Sequence, residues 1–258
     1  MTDGAGFQEA ALAAGVATPQ IVRTVDGAVL ADVPFGLVRV DEWVDLGDAD
    51  PGIDVAAVAD AVARIHGSGF VGRAGLDPWY QDPIGATRWR EIIDQLTAAR
   101  APFLDAVAPI CEEWIALEAL IEAPRNVQTC HRDLWADNVR IGTDGRVWVI
   151  DWQDCGLADP AQELAALLFE YGGPDGSRAS AMHSAYVSAG GRARIDGPGG
   201  CTMLVAQLGH LLEIACRRWL APDATDEVRA LNEPRILEFV ERPLDRTLIS
   251  RLLDATRG

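Results

Sequence analysis

The sequence predicts an α+β fold in which a small β-containing lobe at residues 1–45 precedes a mainly helical lobe at residues 46–258. Three observations support this prediction. Short apolar runs with turn signals occur early in the chain, apolar residues recur at helical spacing from residue 54 onward, and a tight hairpin signal lies inside the helical part. A chain of 258 residues is long enough for one large domain or two closely joined lobes.

The first 45 residues predict one helix and two strands. The alanine-rich stretch Phe7–Ala14 favours a helix. Ile21–Val25 predicts a strand that ends at the Asp26-Gly27 turn signal, and alternating apolar residues predict a second strand over Gly36–Trp43. These strands are too few to form a stable sheet of their own.

The remainder of the chain is predicted to be helical, apart from one hairpin. The clearest helix has apolar residues at helical spacing and begins after Asp54, a side chain that commonly caps helices. The hairpin is predicted around the Thr143-Asp144-Gly145 turn, with short strands within 139–150. Helices are expected over 55–66, 86–99, 110–123 and 201–219, the third of them beginning after Pro109.

The composition is strongly acidic. There are 39 Asp and Glu residues against 22 Lys and Arg residues, which gives a formal net charge of −17. This balance argues against a nucleic-acid partner and against docking on anionic lipid, and it permits a cationic ligand. No apolar run approaches the roughly 20 residues of a membrane helix, and the start of the chain does not resemble a signal peptide. A cytoplasmic protein is therefore expected.

The segment Cys130–Glu163 carries the most informative pattern in the chain. His131-Arg132-Asp133 is followed five residues after the aspartate by Asn138. An apolar strand then leads to Asp151, thirteen residues after Asn138. Each of these residues alone is commonly a turn or cap residue, but the combined spacing is specific.

These residue types suit phosphoryl transfer, which depends on positioning and charge neutralisation. Asn138 and Asp151 offer the hard oxygen ligands that Mg²⁺ prefers. Asp133 is placed to orient a hydroxyl group and to accept its proton, and His131 is expected to support the loop rather than react. A metal-dependent phosphohydrolase could use the same carboxylates, but only Asn138 and Asp151 form an obvious metal pair.

The segment resembles the aminoglycoside phosphotransferase family, the small-molecule relatives of protein kinases. The resemblance extends to Ala63-Arg64-Ile65-His66 and to Glu42-Trp43-Val44-Asp45, which is similar to that family's hinge between lobes. It implies ATP in an interlobe cleft, Asp133 as the catalytic base, and Mg²⁺ held by Asn138 and Asp151. It also implies a structural role for Asp159, which would brace the catalytic loop, and adenine contacts from Val40, Asp41, Glu42 and Trp43.

The sequence departs from that family near its start. Kinase-like enzymes carry a glycine-rich phosphate loop and a strand lysine that pairs with a helix glutamate, but this chain contains no lysine. Glu9 is the candidate for the helix glutamate. The resemblance therefore implies a protein-kinase-like two-lobed fold with a truncated N-terminal β-lobe. Two hypotheses stay open: an ATP- and Mg²⁺-dependent phosphotransferase, and a catalytically impaired pseudokinase or remnant that acts as a binding module.

The acceptor substrate is expected to be a small molecule with a hydroxyl group, and a cationic one fits the acidic composition. The resemblance favours an aminoglycoside-type antibiotic, although the family also includes choline, homoserine and sugar kinases. Four side chains are candidates for contact with the acceptor: Trp135, Asp154, Glu170 and Glu213.

Overall fold

The computed structural model of the chain describes residues 2–173 and 176–257, and these form an α+β fold dominated by helices. The helices are α1 (Thr2–Ala13), α2 (Val55–Gly67), α3 (Ala86–Ala98), α4 (Leu104–Glu118), α5 (Pro160–Tyr171), α6 (Ser177–Ser188), α7 (Thr202–Leu220), α8 (Asp226–Glu241) and α9 (Arg246–Ala255). The strands are β1 (Ile21–Val22), β2 (Ala31–Val33), β3 (Gly36–Val38), β4 (Val40–Asp41), β5 (Gln128–Cys130), β6 (Val139–Ile141), β7 (Val147–Val149) and β8 (Gly156–Ala158).

The strands form antiparallel pairs: β1 with β4, β2 with β3, β5 with β8, and β6 with β7. The single strand predicted over Gly36–Trp43 is instead two short strands, because its two halves pair with different partners on either side of Arg39. The hairpin predicted within 139–150 is present as β6 and β7.

The helix predicted over 110–123 is wrong in its limits. Helix α4 begins at Leu104 and ends at Glu118, with Pro109 inside it. A proline removes one backbone donor and strains the preceding turn. The helix continues through it because Val107, Cys111 and Trp114 lie on one side of α4 and are buried, so packing outweighs the local penalty.

The chain divides into two compact units. The first unit consists of Met1–Leu76, Pro124–Arg194 and Asp254–Gly258, and the second consists of Asp77–Ala123 and Ile195–Leu253. Residues 1–45 belong to the same unit as the segment Cys130–Glu163. The lobe boundary predicted at residue 45 stays a prediction, because these units reflect packing rather than the position of a hinge.

Two early segments of the chain flank the β6–β7 hairpin of the first unit. The amide of Val149 donates to the carbonyl of Ala17 at 2.9 Å, and the amide of Gly47 donates to the carbonyl of Ile141 at 2.8 Å. Both outer sides of this hairpin are therefore hydrogen-bonded, which fixes the direction in which the chain leaves β7 toward Asp151.

Helix α1 is part of the hydrophobic core of the first unit. The ring of Phe7 is fully buried, stacks on Phe70 with 5.4 Å between centroids, and meets Trp152 edge-on at 5.2 Å. Gly4 allows this close approach, because a Cβ at that position would come within 2.4 Å of the Trp152 carbonyl oxygen. Helix α1 therefore packs directly on the turn that follows Asp151.

One span of the described residues, Pro198–Leu220, is long and apolar enough to cross a membrane by length and composition. Of that apolar window, 67% is buried inside the structure. Burial of this kind is typical of a core helix, so the span gives no support for a membrane protein.

We expect Phe7→Ala to lower the free energy of unfolding by about 3–5 kcal/mol, because it removes a fully buried ring between two aromatic neighbours. Phe35→Ala is the matched control, since the Phe35 side chain is 86% exposed, and it should change stability by less than about 0.5 kcal/mol. Urea denaturation monitored by tryptophan fluorescence measures both. Equal losses in the two variants would contradict the placement of α1 in the core.

Candidate active site

The loop between β5 and β6 carries the residues on which the predicted chemistry depends. His131 is fully buried; its Nε2 donates to the carbonyl of Ile150 at 3.1 Å, and its Nδ1 accepts from the amide of Asp133 at 3.3 Å. Burial lowers the pKa of His131, which favours the neutral ring that these two bonds require. His131 thus makes the contacts that its predicted supporting role calls for.

Asp133 and Asn138 are in direct contact. The Asn138 side-chain amide donates to Asp133 Oδ2 at 2.6 Å and to the Asp133 carbonyl at 3.0 Å. The pKa of Asp133 is raised to about 6, first by burial and then by the charges of Asp137, Asp154 and Asp151 in that order, while the bond from Asn138 lowers it. A carboxylate with such a pKa is well suited to accept a proton near neutral pH.

Asp151 follows β7, and a backbone hydrogen bond joins the preceding residue, Ile150, to Asn138. The amide of Ile150 donates to the Asn138 carbonyl at 3.0 Å, which joins the two segments. Asp151 is exposed and adopts a left-handed conformation with φ +59°, and Gln153 Nε2 donates to its Oδ1 at 2.9 Å. The side-chain oxygens of Asn138 and Asp151, one neutral and one anionic, form a donor set that fits Mg²⁺.

Helix α5 holds the loop at three points. Glu163 accepts a short hydrogen bond from the amide of Arg132, Tyr171 donates to the carbonyl of Leu134 at 3.2 Å, and the amide of Ala136 donates to Glu170 at 3.3 Å. The sequence analysis missed Glu163 and Tyr171. The only local signal for Glu163 was its place in the first helical turn after Asp159-Pro160, since its partner His66 is 97 residues away in sequence.

Asp159 caps α5 and anchors the segment that enters β5. Its Oδ1 accepts from the amide of Ala161 at 3.0 Å, and its Oδ2 accepts from the amides of Arg125 and Asn126 at 2.8 and 3.1 Å. The bonds of Asp159 therefore hold residues 125–126, just before β5, whereas Glu163 bonds to the loop between β5 and β6.

The predicted hinge residues differ in how they are held. Asp41 accepts from Arg39 and from Gln8, each at 3.0 Å, and the Glu42 amide donates to the Gln20 carbonyl at 2.8 Å. Val40 and Trp43 are exposed, Trp43 by 88%, and the indole of Trp43 donates to Asp45 at 2.9 Å. The adenine contacts assigned to these four residues stay a prediction.

Three of the four candidate acceptor contacts lie in the first unit with Asp133. Trp135 meets Phe169 edge-on at 6.4 Å, and Glu170 accepts from the loop as described. Asp154 is exposed, and its carbonyl accepts from Arg132 Nε at 2.6 Å. Glu213 lies in the second unit, where Arg88 binds its carboxylate at 2.7 Å. Asp137, the charged group with the largest effect on the pKa of Asp133, was not predicted from the sequence.

Glu9, the candidate helix glutamate, forms an ion pair with Arg23. Arg23 follows β1 and also donates to the Gly27 carbonyl at 2.8 Å. Both side chains are more than 40% exposed, so this pair contributes little to stability.

We expect Asp133→Asn to stabilise the protein at pH 7.5 by roughly 1–2 kcal/mol in the absence of metal, a value discounted for partial solvent exposure. The folded-state pKa of Asp133 is about 6 and its ordinary value is 3.8, so ionisation opposes folding. The gain should be present above pH 6 and should fade as the pH falls toward 4. Urea denaturation in EDTA across this range measures it.

Asp60→Asn is the control for removing one negative charge, because the Asp60 side chain is 49% exposed on α2 and pairs with Arg64. It should change stability by less than about 1 kcal/mol. A less stable Asp133→Asn protein at pH 7.5 would contradict the raised pKa.

Comparison with known proteins places these observations in context. The family model described as "Phosphotransferase enzyme family" matches residues 7–197. A search of the curated proteins found no significant match. Solved structures cover nearly the whole chain at low sequence identity, so they show the fold alone.

Three of these structures illustrate the similarity. A spectinomycin phosphotransferase in complex with ADP and spectinomycin has a TM-score of 0.67 at 12% identity, covering 98% of this chain and 82% of that one. An aminoglycoside phosphotransferase from Alicyclobacillus acidocaldarius has a TM-score of 0.60 at 18% identity, covering 97% and 82%. A choline/ethanolamine kinase family protein from Mesorhizobium loti has a TM-score of 0.55 at 19% identity, covering 99% and 84%. The predicted kinase-like α+β fold is confirmed.

Proposed function

We propose that this chain, which belongs to the phosphotransferase enzyme family, transfers the γ-phosphoryl group of ATP to a hydroxyl group of a small molecule. The observation that carries the proposal is the Asp133–Asn138 contact at 2.6 Å beside Asp151, with the pKa of Asp133 raised to about 6. Family membership supports a small-molecule phosphotransferase, and the side chains of this loop offer a proton acceptor and one metal ligand.

In the proposed reaction, Asp133 orients the acceptor hydroxyl and takes its proton. Because the pKa of Asp133 is about 6, the carboxylate is ionised and ready to accept a proton at neutral pH. Asn138 holds Asp133 through its amide N–H group, which leaves its amide oxygen as the group that would face a cation. Asn138 and Asp151 would hold Mg²⁺. When bound, the ion would neutralise phosphate charge and orient the transferred group.

The nucleotide is proposed to be ATP, with adenine against the backbone of Val40–Trp43. One similar structure was solved with ADP, which supports nucleotide use in this fold. ATP supply makes a cytoplasmic location the natural one. The chain's acidic balance argues against nucleic acid as a partner.

The acceptor is proposed to be a cationic small molecule with a hydroxyl group, such as an aminoglycoside-type antibiotic. The similar structures include an aminoglycoside phosphotransferase and a member of the choline/ethanolamine kinase family, and both names indicate cationic substrates. In this chain, Asp154 and Glu170 lie near Asp133 with Trp135, and they would supply negative charge beside an aromatic face. Glu213 is the weaker candidate, since Arg88 already neutralises it.

The alternative is a catalytically impaired binding module. The observation that favours it is the absence of lysine from the sequence, which removes the usual cation for nucleotide phosphates. The candidate replacements Arg23 and Arg39 are already paired with Glu9 and Asp41. Binding of Mg·ATP without turnover of any hydroxyl acceptor would favour this alternative.

We expect Asp133→Asn to lower kcat by about 10²–10⁴-fold, because the proton acceptor is lost, while the Kd for Mg·nucleotide changes less than about threefold. A coupled ADP-release assay with a panel of aminoglycosides, choline and amino alcohols measures turnover, and calorimetry measures binding. Asp60→Asn is the control and should behave as wild type. Near-normal turnover by the Asp133→Asn protein would exclude Asp133 as the base.

We expect Asp151→Asn to weaken Mg·nucleotide binding by at least about tenfold, because it removes the anionic metal ligand. Asparagine tolerates the left-handed conformation of this position, so the backbone should be retained. Calorimetry with nucleotide in Mg²⁺ and in EDTA separates the metal-dependent part, and binding in EDTA should be unchanged. Equal affinity for Mg·nucleotide in the variant and the wild type would rule out Asp151 as a metal ligand.

A further inference from the structure

A continuous network of buried hydrogen bonds reaches the loop between β5 and β6 at the amide of Arg132. The hydroxyl of Tyr186 accepts from the amide of Ala193 at 3.2 Å and lies 2.8 Å from His66 Nδ1. His66 Nε2 lies 2.7 Å from Glu163 Oε2, and Glu163 Oε1 accepts from the amide of Arg132. Four elements of the first unit are thereby linked: α2, α5, α6 and the catalytic loop.

The two ends of this hydrogen-bond network determine the direction of its outer bonds. The amides of Ala193 and Arg132 can only donate. Burial raises the pKa of Glu163, but the bonds from His66 and from the Arg132 amide outweigh it and hold the pKa below its ordinary value, so the carboxylate is ionised and only accepts. His66 then donates through Nε2, and in its neutral form the ring accepts the hydrogen bond of the Tyr186 hydroxyl at Nδ1.

The hydrogen-bond network is also closed to water, so its bonds depend on one another. The side chains of His66 and Glu163 are 4% and 2% exposed, and Tyr186 is fully buried. Removing one member leaves its neighbours as buried polar groups without partners, and an unpaired buried carboxylate is the most costly of these. The network should therefore hold as a unit or fail as a unit.

The last hydrogen bond of the network is donated by Arg132, a residue with a strained backbone conformation. Arg132 adopts φ +70°, a left-handed conformation that is costly for a residue with a side chain and persists only where its surroundings enforce it. Glu163 holds its amide, and the Asp154 carbonyl holds its Nε at 2.6 Å. A Cβ at Gly156 would lie 2.6 Å from the Arg132 guanidinium carbon, so glycine at that position makes room for it. The peptide that follows Arg132 leads directly into Asp133.

We propose that His66 and Glu163 are positioning residues for Asp133, which act through the Arg132 amide to fix the direction in which the chain enters the base. Tyr186 completes the network by setting which nitrogen of His66 carries the proton. The inference rests on the proposed function, because that function makes Asp133 the base. A displacement of a base by about 1 Å is enough to reduce turnover by about a hundredfold while leaving the nucleotide in place.

The first test does not depend on activity. Hydrogen exchange of the Arg132 amide, followed by NMR, is compared in the wild type, His66→Phe and His66→Gln. Phenylalanine keeps the ring volume and loses both bonds, so we expect exchange to rise by at least about tenfold. Glutamine offers one donor and one acceptor in the same order, and exchange should stay within about threefold of wild type.

The matched control is Thr202→Val. Thr202 is a buried residue of the second unit whose hydroxyl accepts from the amide of Glu122 at 2.9 Å and donates to its carbonyl at 3.2 Å. The variant loses a satisfied buried hydroxyl outside the network, so it should lose stability without any change at Arg132. If His66→Phe fails to fold, Tyr186→Phe replaces it, since it removes only the outer hydroxyl and is expected to raise Arg132 exchange in the same direction.

The second test separates positioning from stability. His66→Phe, or Tyr186→Phe in its place, should lower kcat by at least about tenfold while KM for ATP stays within about threefold, and His66→Gln should restore kcat. Thr202→Val should keep the wild-type kcat. Normal kcat in the network variants, or a kcat loss that Thr202→Val shares, would overturn the inference.

The two proposals can fail separately. A wild-type protein that phosphorylates no acceptor contradicts the proposed function, and Arg132 exchange still decides whether the network holds this loop. An active protein whose Arg132 exchange is unchanged in His66→Phe and Tyr186→Phe contradicts the network and leaves Asp133 as the base.

Discussion

One buried negative charge, the carboxylate of Glu163, ties helices α2 and α5 to the loop between β5 and β6, which is proposed to carry the chemistry. A carboxylate removed from water costs several kcal/mol unless hydrogen bonds replace its hydration. Here His66 supplies one bond and the amide of Arg132 supplies the other. Because neither partner can leave without stranding the charge, α2, α5 and the catalytic loop keep one arrangement. Tyr171, at the far end of α5, holds the next part of the same loop.

The loop that is held this firmly also concentrates like charges. Asp133, Asp137, Asp151 and Asp154 lie close enough for each of the last three to raise the pKa of Asp133. Such a cluster opposes folding, and a bound cation would relieve it. The packing of the buried helix α5, which hydrogen-bonds to the loop, supplies stability that the cluster of carboxylates removes. The proposed chemistry therefore places negative charge at and around residues 131–138, and the same charge opposes folding of this loop. The hydrogen bonds from α5 to the loop offset that cost.

The sequence predicted what local chemistry determines and missed what distant partners determine. Helices predicted at 55–66 and 86–99 are found at Val55–Gly67 and Ala86–Ala98, because apolar spacing and helix ends are local signals. The spacing of Asp133, Asn138 and Asp151 was equally readable, since one hairpin sets it. Strands β5 and β8 were not predicted, because no tight turn signal joins them and their pairing links distant segments. The contact between His66 and Glu163 left no trace in the sequence for the same reason.

The burial of Phe7 between Phe70 and Trp152 has a consequence for synthesis. The first unit is assembled from separate stretches of chain, with the second unit's residues 77–123 inserted between two of them. When the ribosome has synthesised the first 76 residues, Phe70 can pack on Phe7, but Trp152 has not yet been made. Long-range contacts of this kind slow folding and leave apolar surface exposed to chaperones or to aggregation meanwhile. Expression at reduced temperature or with chaperones should therefore raise the soluble yield.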